Sequence, residues 1–263
     1  MKNFIKLTEV KFEETGGSVK VKYYDDYIRP ASICFIERII HKEQRVCLIH
    51  FEIGDNHAKL LVKESPEEID EIIDAGADII MLPYFKTADE VREFVRLVGG
   101  RAKTFPLVEN KESVECIDEI LEVEGIDEIY IGLNDLTLSR NQRFMFQPLA
   151  DGTVDMLAEK FKAKGIPFGF GGIASLGKGL IPSEYIICEH KRLGSNAAIL
   201  SRSFCNVSKI ADLKEVDLIF TEGVRAIREF EAVCTKNTPE QFIKNHTELR
   251  SKVEEIVEMM GGL

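Results

Sequence analysis

The chain has 263 residues, of which 44% are hydrophobic and 30% charged, with a formal net charge of −11. That length suits one barrel of roughly 250 residues or two smaller domains. The acidic balance, with Lys and Arg scattered among Asp and Glu, excludes a nucleic-acid footprint, which needs a clustered basic surface. The start MKNFIKLTEV lacks the apolar core of a signal peptide, and no apolar run approaches the roughly 18 residues of a membrane span, so a cytoplasmic protein without membrane contact is expected.

Residues 1–57 hold four extended runs, Phe4–Phe12, Val19–Tyr24, Ile33–Ile40 and Val46–Ile53, and Gly16-Gly17-Ser18 reads as a hairpin turn between the first two. No helix of normal length fits between them. Two readings stand: the runs supply the first barrel strands in modified form, or they make a small β-domain ahead of residues 58–263. The second is slightly favoured.

From Ser65 onward, helix patterns and short apolar strands alternate, the signature of βα units. The strands are Lys59–Lys63, Asp78–Pro83, Ala102–Glu109, Glu128–Leu133, Pro167–Gly171 and Ala197–Ser201. Ser65 with Pro66 and Glu68, and Thr87 with Glu90, are helix-start signals. Val91, Phe94, Val95 and Val98 keep the spacing of a helix face packed on a sheet, and Gly99-Gly100 stops it. Two helices follow, about Asp217–Cys234 and Pro239–Met260, with Thr238 as the cap of the second; one closes the barrel and the other is free to pack on a neighbouring subunit. The fold class is α/β, a (β/α) TIM-type barrel with an atypical β-rich N-terminal segment. Six strands are accounted for, and an eight-stranded barrel needs two more.

In such barrels the reacting groups come from the C-terminal ends of strands. Glu109 ends KTFPLVE and Asp135 follows IYIGLN, one βα unit later. Hard oxygen ligands from adjacent strands suit a divalent cation, Mg²⁺ or Mn²⁺. By spacing alone the same two acids also read as helix or turn caps. Cys34, Cys47, Cys116, Cys188, Cys205 and Cys234 occur singly, without zinc spacing, and read as free buried thiols.

The runs DAGADIIMLPYFKTADEV and LVENKESVECIDEILEVEGIDEIYIGLNDLTLS resemble the HpcH/HpaI aldolase and citrate lyase family of phosphoenolpyruvate/pyruvate barrels, from about Ala58 to Cys205. The segments IGLNDL, GFGGIA and EHKRLGS are similar to a branch of that family met in surface-polysaccharide gene clusters. The resemblance implies a homo-oligomeric, metal-dependent lyase that cleaves or forms a 2-oxo-3-deoxy acid through a pyruvate enolate. It makes Glu109 and Asp135 the metal ligands, with the Asn134-Asp135 backbone receiving the substrate carboxylate.

Three positions depart from the family pattern. Lys63 stands where an arginine usually contacts the keto oxygen, and Leu107 stands two residues before Glu109 in place of glutamine. The Asp-x-Glu-His signature is missing, and Glu37 and His50 are its nearest echoes. Gly171 and Gly172 let backbone approach a ligand, and His190, in a polar stretch, reaches a substrate hydroxyl if that stretch covers the mouth. A barrel with an incomplete site that serves as a binding or regulatory protein is the alternative. A lyase for acyl-coenzyme A thioesters has less support, because no basic cluster for nucleotide phosphates is evident.

Overall fold

In the computed structural model, residues 5–15, 18–28, 40–41, 44–45, 48–51, 58–61, 66–74, 77–201, 203–205 and 213–261 are described, those from 5 to 61 by backbone alone. Strands β1 (Ile5–Thr15) and β2 (Ser18–Ile28) pair antiparallel as a sheet of their own, from Ile5 opposite Ile28 to Thr15 opposite Ser18. The short β3 (Ile40–His41) and β4 (Gln44–Arg45) form another. The expected run Ile33–Ile40 lies outside the described residues up to Ile40.

The main sheet has seven strands: β5 (Leu48–Phe51), β6 (Ala58–Leu61), β7 (Ile79–Leu82), β8 (Lys103–Val108), β9 (Ile129–Ile131), β10 (Phe168–Ile173) and β11 (Ala197–Leu200). They lie side by side in chain order. From β6 to β11 every pairing is parallel, while β5 joins β6 antiparallel. The architecture is a parallel β/α half-barrel, and among the described residues β5 and β11 are its edges.

Parallel order requires a crossover between successive strands, and the helices supply it. They are α1 (Pro66–Asp74), α2 (Ala88–Val98), α3 (Lys111–Glu115), α4 (Ile117–Ile120), α5 (Leu133–Ser139), α6 (Gln147–Ala150), α7 (Thr153–Lys164) and α8 (Ser183–Leu193). Helix α2 forms as its sequence dictates. The Thr87 hydroxyl accepts from the Glu90 N–H and the Glu90 carboxylate accepts from the Thr87 N–H, a closed capping box, and Gly99 ends the helix in the left-handed region at φ 59°. Its buried stripe, Val91, Phe94 and Val98, packs on the outward residues of the sheet.

Alternation along the strands divides the apolar residues into two cores. Ile80, Leu82, Val108, Ile129, Ile131, Phe168 and Phe170 meet the helices. Ile79, Met81, Phe105, Leu107 and Tyr130 fill the other face, the inside of the half-barrel. There the Tyr130 ring meets Phe105 edge-on at 5.7 Å. The β10–β11 register shifts between Gly169 and Gly172. A shifted ladder strands backbone groups that burial does not tolerate. The Tyr130 hydroxyl repairs it, donating to the Gly171 carbonyl and accepting from the Ile199 N–H at 2.8 Å.

Two long helices end the chain, α9 (Leu213–Cys234) and α10 (Pro239–Gly261). Thr238 caps α10 as expected: the Gln241 N–H donates to the Thr238 hydroxyl, and the Gln241 side chain accepts from the Thr238 N–H. Both pack on α8 of this chain. At the α8–α10 contact Glu189 is fully buried, and a buried carboxylate persists only with partners. Arg192 bonds it at 2.6 Å, the His246 ring at 2.8 Å and the Asn245 amide at 3.1 Å, while Arg192 also grips Asp155 of α7.

Tyr130 makes one position of β10 intolerant. A Cβ on Gly169 would stand 2.5 Å from the Ala197 carbonyl and 2.6 Å from the Tyr130 ring. Backbone on one side and a packed ring on the other leave no room to yield. Gly169→Ala is expected to destabilise the chain by about 1–3 kcal/mol in urea denaturation, and an unchanged midpoint would show that the inner face is loosely packed.

Candidate active site

The C-terminal ends of β7, β8 and β9 lie side by side, and each carries a polar group into the same place. Glu109 follows β8 and is 5% exposed. Asp135 lies half-buried in the first turn of α5, directly after β9. Tyr84, two residues past β7, touches both: its N–H donates to Glu109 Oε1 at 2.8 Å, and its hydroxyl donates to Asp135 Oδ1 at 3.1 Å.

Local sequence explains why these acids are held toward the mouth. The cap of α3 is Asn110, whose Oδ1 accepts from the Ser113 N–H at 2.8 Å, so Glu109 is not needed for that task. Gly132 precedes α5 and brings backbone against the other Glu109 oxygen: a Cβ there would stand 2.9 Å from Oε2. The Asn110 amide reaches back to the Phe85 carbonyl at 2.7 Å, tying the loop after β7 to the loop after β8.

Tyr84 has φ 54°, in the left-handed region that an aromatic residue rarely enters. Such backbone persists where its surroundings over-determine it. Here the same loop is fastened several times more. Glu90 accepts from the Lys86 and Thr87 N–H groups, the Cys116 thiol donates to the Lys86 carbonyl at 2.9 Å, and the Lys86 ammonium pairs with Glu112 at 3.1 Å.

The other expected site residues are distributed as follows. Asn134 is exposed in the first turn of α5, beside Asp135. Gly171 is buried at φ 56°, and a Cβ on it would strike Leu133 at 2.8 Å, while one on Gly172 would meet Ser201 at 3.1 Å. Both glycines thus lie in close packing, Gly171 against the helix-facing layer. Lys63 and Glu37 lie outside the described residues. His50 is described in backbone only, and the β5–β6–β7 register sets it beside Lys59 and, next over, Ile79. That is the end of the sheet opposite Glu109, so the geometry does not bring His50 to the mouth.

His190 requires a correction. The polar stretch around it is the last turn of α8 and not a loop over the mouth. Its ring lies flat on Phe170, with centroids 3.8 Å apart, in the layer between helix and sheet. Nδ1 bonds Ser195 Oγ at 2.8 Å, and Nε2 is buried without a hydrogen-bond partner. Burial first and Lys191 second hold its pKa down at about 3. The described thiols are similarly inert: burial raises Cys116, Cys188, Cys205 and Cys234, the last to about 12, so none is a nucleophile near neutral pH.

Residues 60–143 match the HpcH/HpaI aldolase/citrate lyase family pattern. The matched stretch contains Tyr84, Glu109, Asn134 and Asp135. The 2-keto-3-deoxy-L-rhamnonate aldolases of Escherichia coli O157:H7 and of E. coli strain UTI89 are each 32% identical to this chain over 30% of its length and 40% of theirs. The chain thus spans well under two thirds of the curated relatives that it matches. Among solved structures, the HpcH/HpaI aldolase of Desulfitobacterium hafniense DCB-2 aligns with a TM-score of 0.47 at 19% identity, over 64% of this chain and 72% of that one. An HpcH/HpaI aldolase/citrate lyase family protein of Burkholderia cenocepacia J2315 aligns at 0.46 and 17%, over 58% and 70%.

Burial of a neutral His190 has a consequence for stability. In the unfolded chain the imidazole takes up its proton below about 6.5, whereas the folded one stays neutral down to about 3. Its contribution is therefore whole above 6.5 and is lost progressively as the pH falls from there toward 3. Between about pH 7 and about pH 5 this one group removes about 2 kcal/mol. Urea titrations at the two values are expected to show that loss in the unmodified chain and a smaller one in His190→Asn, whose amide can still reach Ser195. Equal losses would mean that the imidazole is hydrated.

Proposed function

We propose that the chain is a carbon–carbon lyase of the aldolase type that handles a small 2-oxo acid at the Glu109–Asp135 site with a divalent cation, Mg²⁺ or Mn²⁺. The observation that carries this reading is the convergence of two carboxylates from successive strand ends, neither of which serves as the cap of its helix. The match over residues 60–143 and the names of the E. coli relatives supply the reaction class. A 2-oxo-3-deoxy acid, with pyruvate as the donor half, is the substrate class that fits.

The donor set suits the cation. Carboxylate oxygens are hard ligands, and Mg²⁺ is commonly held by one or two carboxylates with its remaining positions left to water and substrate. Among the described residues no group of three or more His, Cys, Asp and Glu gathers. Two protein anions, with the remaining positions left to water and substrate, are the arrangement that this reading needs. When bound, the cation supplies Lewis-acid stabilisation of the negative charge that develops on the keto oxygen.

The chain's own groups do the rest. Glu109, nearly out of water, presents Oε2 along Gly132 while Tyr84 holds Oε1. Tyr84 also holds one Asp135 oxygen through its hydroxyl. The Asn134-Asp135 turn is assigned to the substrate carboxylate, as the resemblance implies, and exposed Asn134 faces the solvent from which substrate arrives. Ile79, Met81, Phe105 and Leu107 close the inside of the half-barrel beneath. A dry floor strengthens each electrostatic contact above it. Lys63 is proposed for the keto oxygen. Assembly into a homo-oligomer and a cytoplasmic setting accompany the reading as proposals. Among the described residues, no helix is long and apolar enough to cross a membrane.

The reading is tested by titrating Mn²⁺ into the unmodified chain, Glu109→Ala, Asp135→Ala and Asp118→Ala. Asp118 pairs with Lys160 on the exposed face of α4, with 77% of its side chain in solvent, and serves as the control. Loss of one of two anionic ligands is expected to weaken binding at least tenfold, about 1.4 kcal/mol, with the control unchanged. Equal binding by all four would favour the binding-protein alternative.

A further inference from the structure

We infer that Tyr84 is the positioning residue of this site, setting both carboxylates through two different atoms; the inference rests on the lyase reading above. Its placement is unusual on three independent counts. It is one of two non-glycine residues with positive φ among the described residues, the other being Asn141, a residue type that enters this region readily. Its N–H and its hydroxyl each donate to a different acid. And the loop that carries it is fastened by Asn110, Cys116, Glu90 and Glu112, more attachments than a connection between a strand and a helix requires.

From the end of β7 the N–H of Tyr84 reaches Glu109 at the end of the adjacent β8, while its side chain extends past β8 to Asp135 beyond β9. The left-handed turn accompanies one residue that reaches both acids. A nearly buried carboxylate must find donors or forfeit its solvation, and the Tyr84 N–H is one that no substitution of the side chain can remove. The phenol is different, because it can be deleted alone. Hydrogen bonds to metal-binding carboxylates fix which lone pairs face the metal, and their loss commonly costs 10–100-fold in metal affinity.

These two roles separate by mutation. Tyr84→Phe removes the hydroxyl that donates to Asp135 and keeps the ring and the N–H. Tyr84→Gly also keeps the N–H, and glycine adopts the left-handed turn without strain. Mn²⁺ affinity, read by electron paramagnetic resonance, is expected to fall about tenfold in both variants. The thermal midpoint of Tyr84→Phe should stay unchanged. The chain has no Trp, so a tyrosine difference spectrum near 280 nm on adding Mn²⁺ provides a second readout, expected in the unmodified chain and diminished in Tyr84→Phe.

Each outcome decides something. Tight Mn²⁺ binding by the unmodified chain with equal binding by Tyr84→Phe overturns the role of Tyr84 and leaves the lyase reading standing. Weaker binding accompanied by a lower midpoint in Tyr84→Phe assigns the phenol a structural task and overturns the inference as well. Absence of Mn²⁺ binding in the unmodified chain overturns both.

Discussion

A carboxylate held 95% out of solvent at the end of β8 has to be compensated, and the arrangement of the mouth follows from how Glu109 achieves this. One oxygen takes the Tyr84 N–H and the other lies along the Gly132 backbone. The first contact fixes the loop after β7 in a left-handed turn; the second excludes any side chain at the entrance to α5. Asp135 is then placed by the helix that begins at Leu133 and is met by the same Tyr84 through its hydroxyl. Three strand ends are in this way coupled by one acid and one tyrosine.

The inside of the half-barrel depends on a comparable device lower down. Tyr130 fills the space opposite two glycines of β10 and satisfies the ladder groups that the register shift exposes. Its bulk explains Gly169, and the shift explains the left-handed Gly171. A glycine-rich strand end beside a candidate site invites a ligand-binding interpretation. The neighbours of those glycines are Tyr130, Leu133 and Ser201.

The six parallel strands were legible from composition, because buried parallel strands are short apolar runs and their helices begin with capping chemistry that acts within four residues. The two acids were legible as strand-end residues. Tyr84 was not, since Pro-Tyr-Phe carries no mark of a left-handed turn; glycine or asparagine is the usual signal, and this turn is imposed by tertiary contacts. His190 was misplaced for the opposite reason. Glu-His-Lys-Arg looks like a polar loop, yet Ile186, Ile187 and Leu193 keep helical spacing and Gly194, at φ 76°, is the stop that marks a helix end. The buried Glu189 cluster joins residues far apart in sequence, and no local pattern reveals such a contact.

The Glu109–Asp135 constellation is proposed to stabilise an enolate of a 2-oxo acid. Pyruvate dissolved in deuterated water with the chain and Mg²⁺ reports this directly, because enolate formation exchanges the methyl protons whatever the natural aldehyde is. The account predicts methyl exchange, followed by proton magnetic resonance, that exceeds the protein-free rate, stops on adding a chelator and is lost in Glu109→Ala. Exchange at the protein-free rate in a chain shown to bind the cation, or exchange indifferent to both chelator and Glu109, would contradict it.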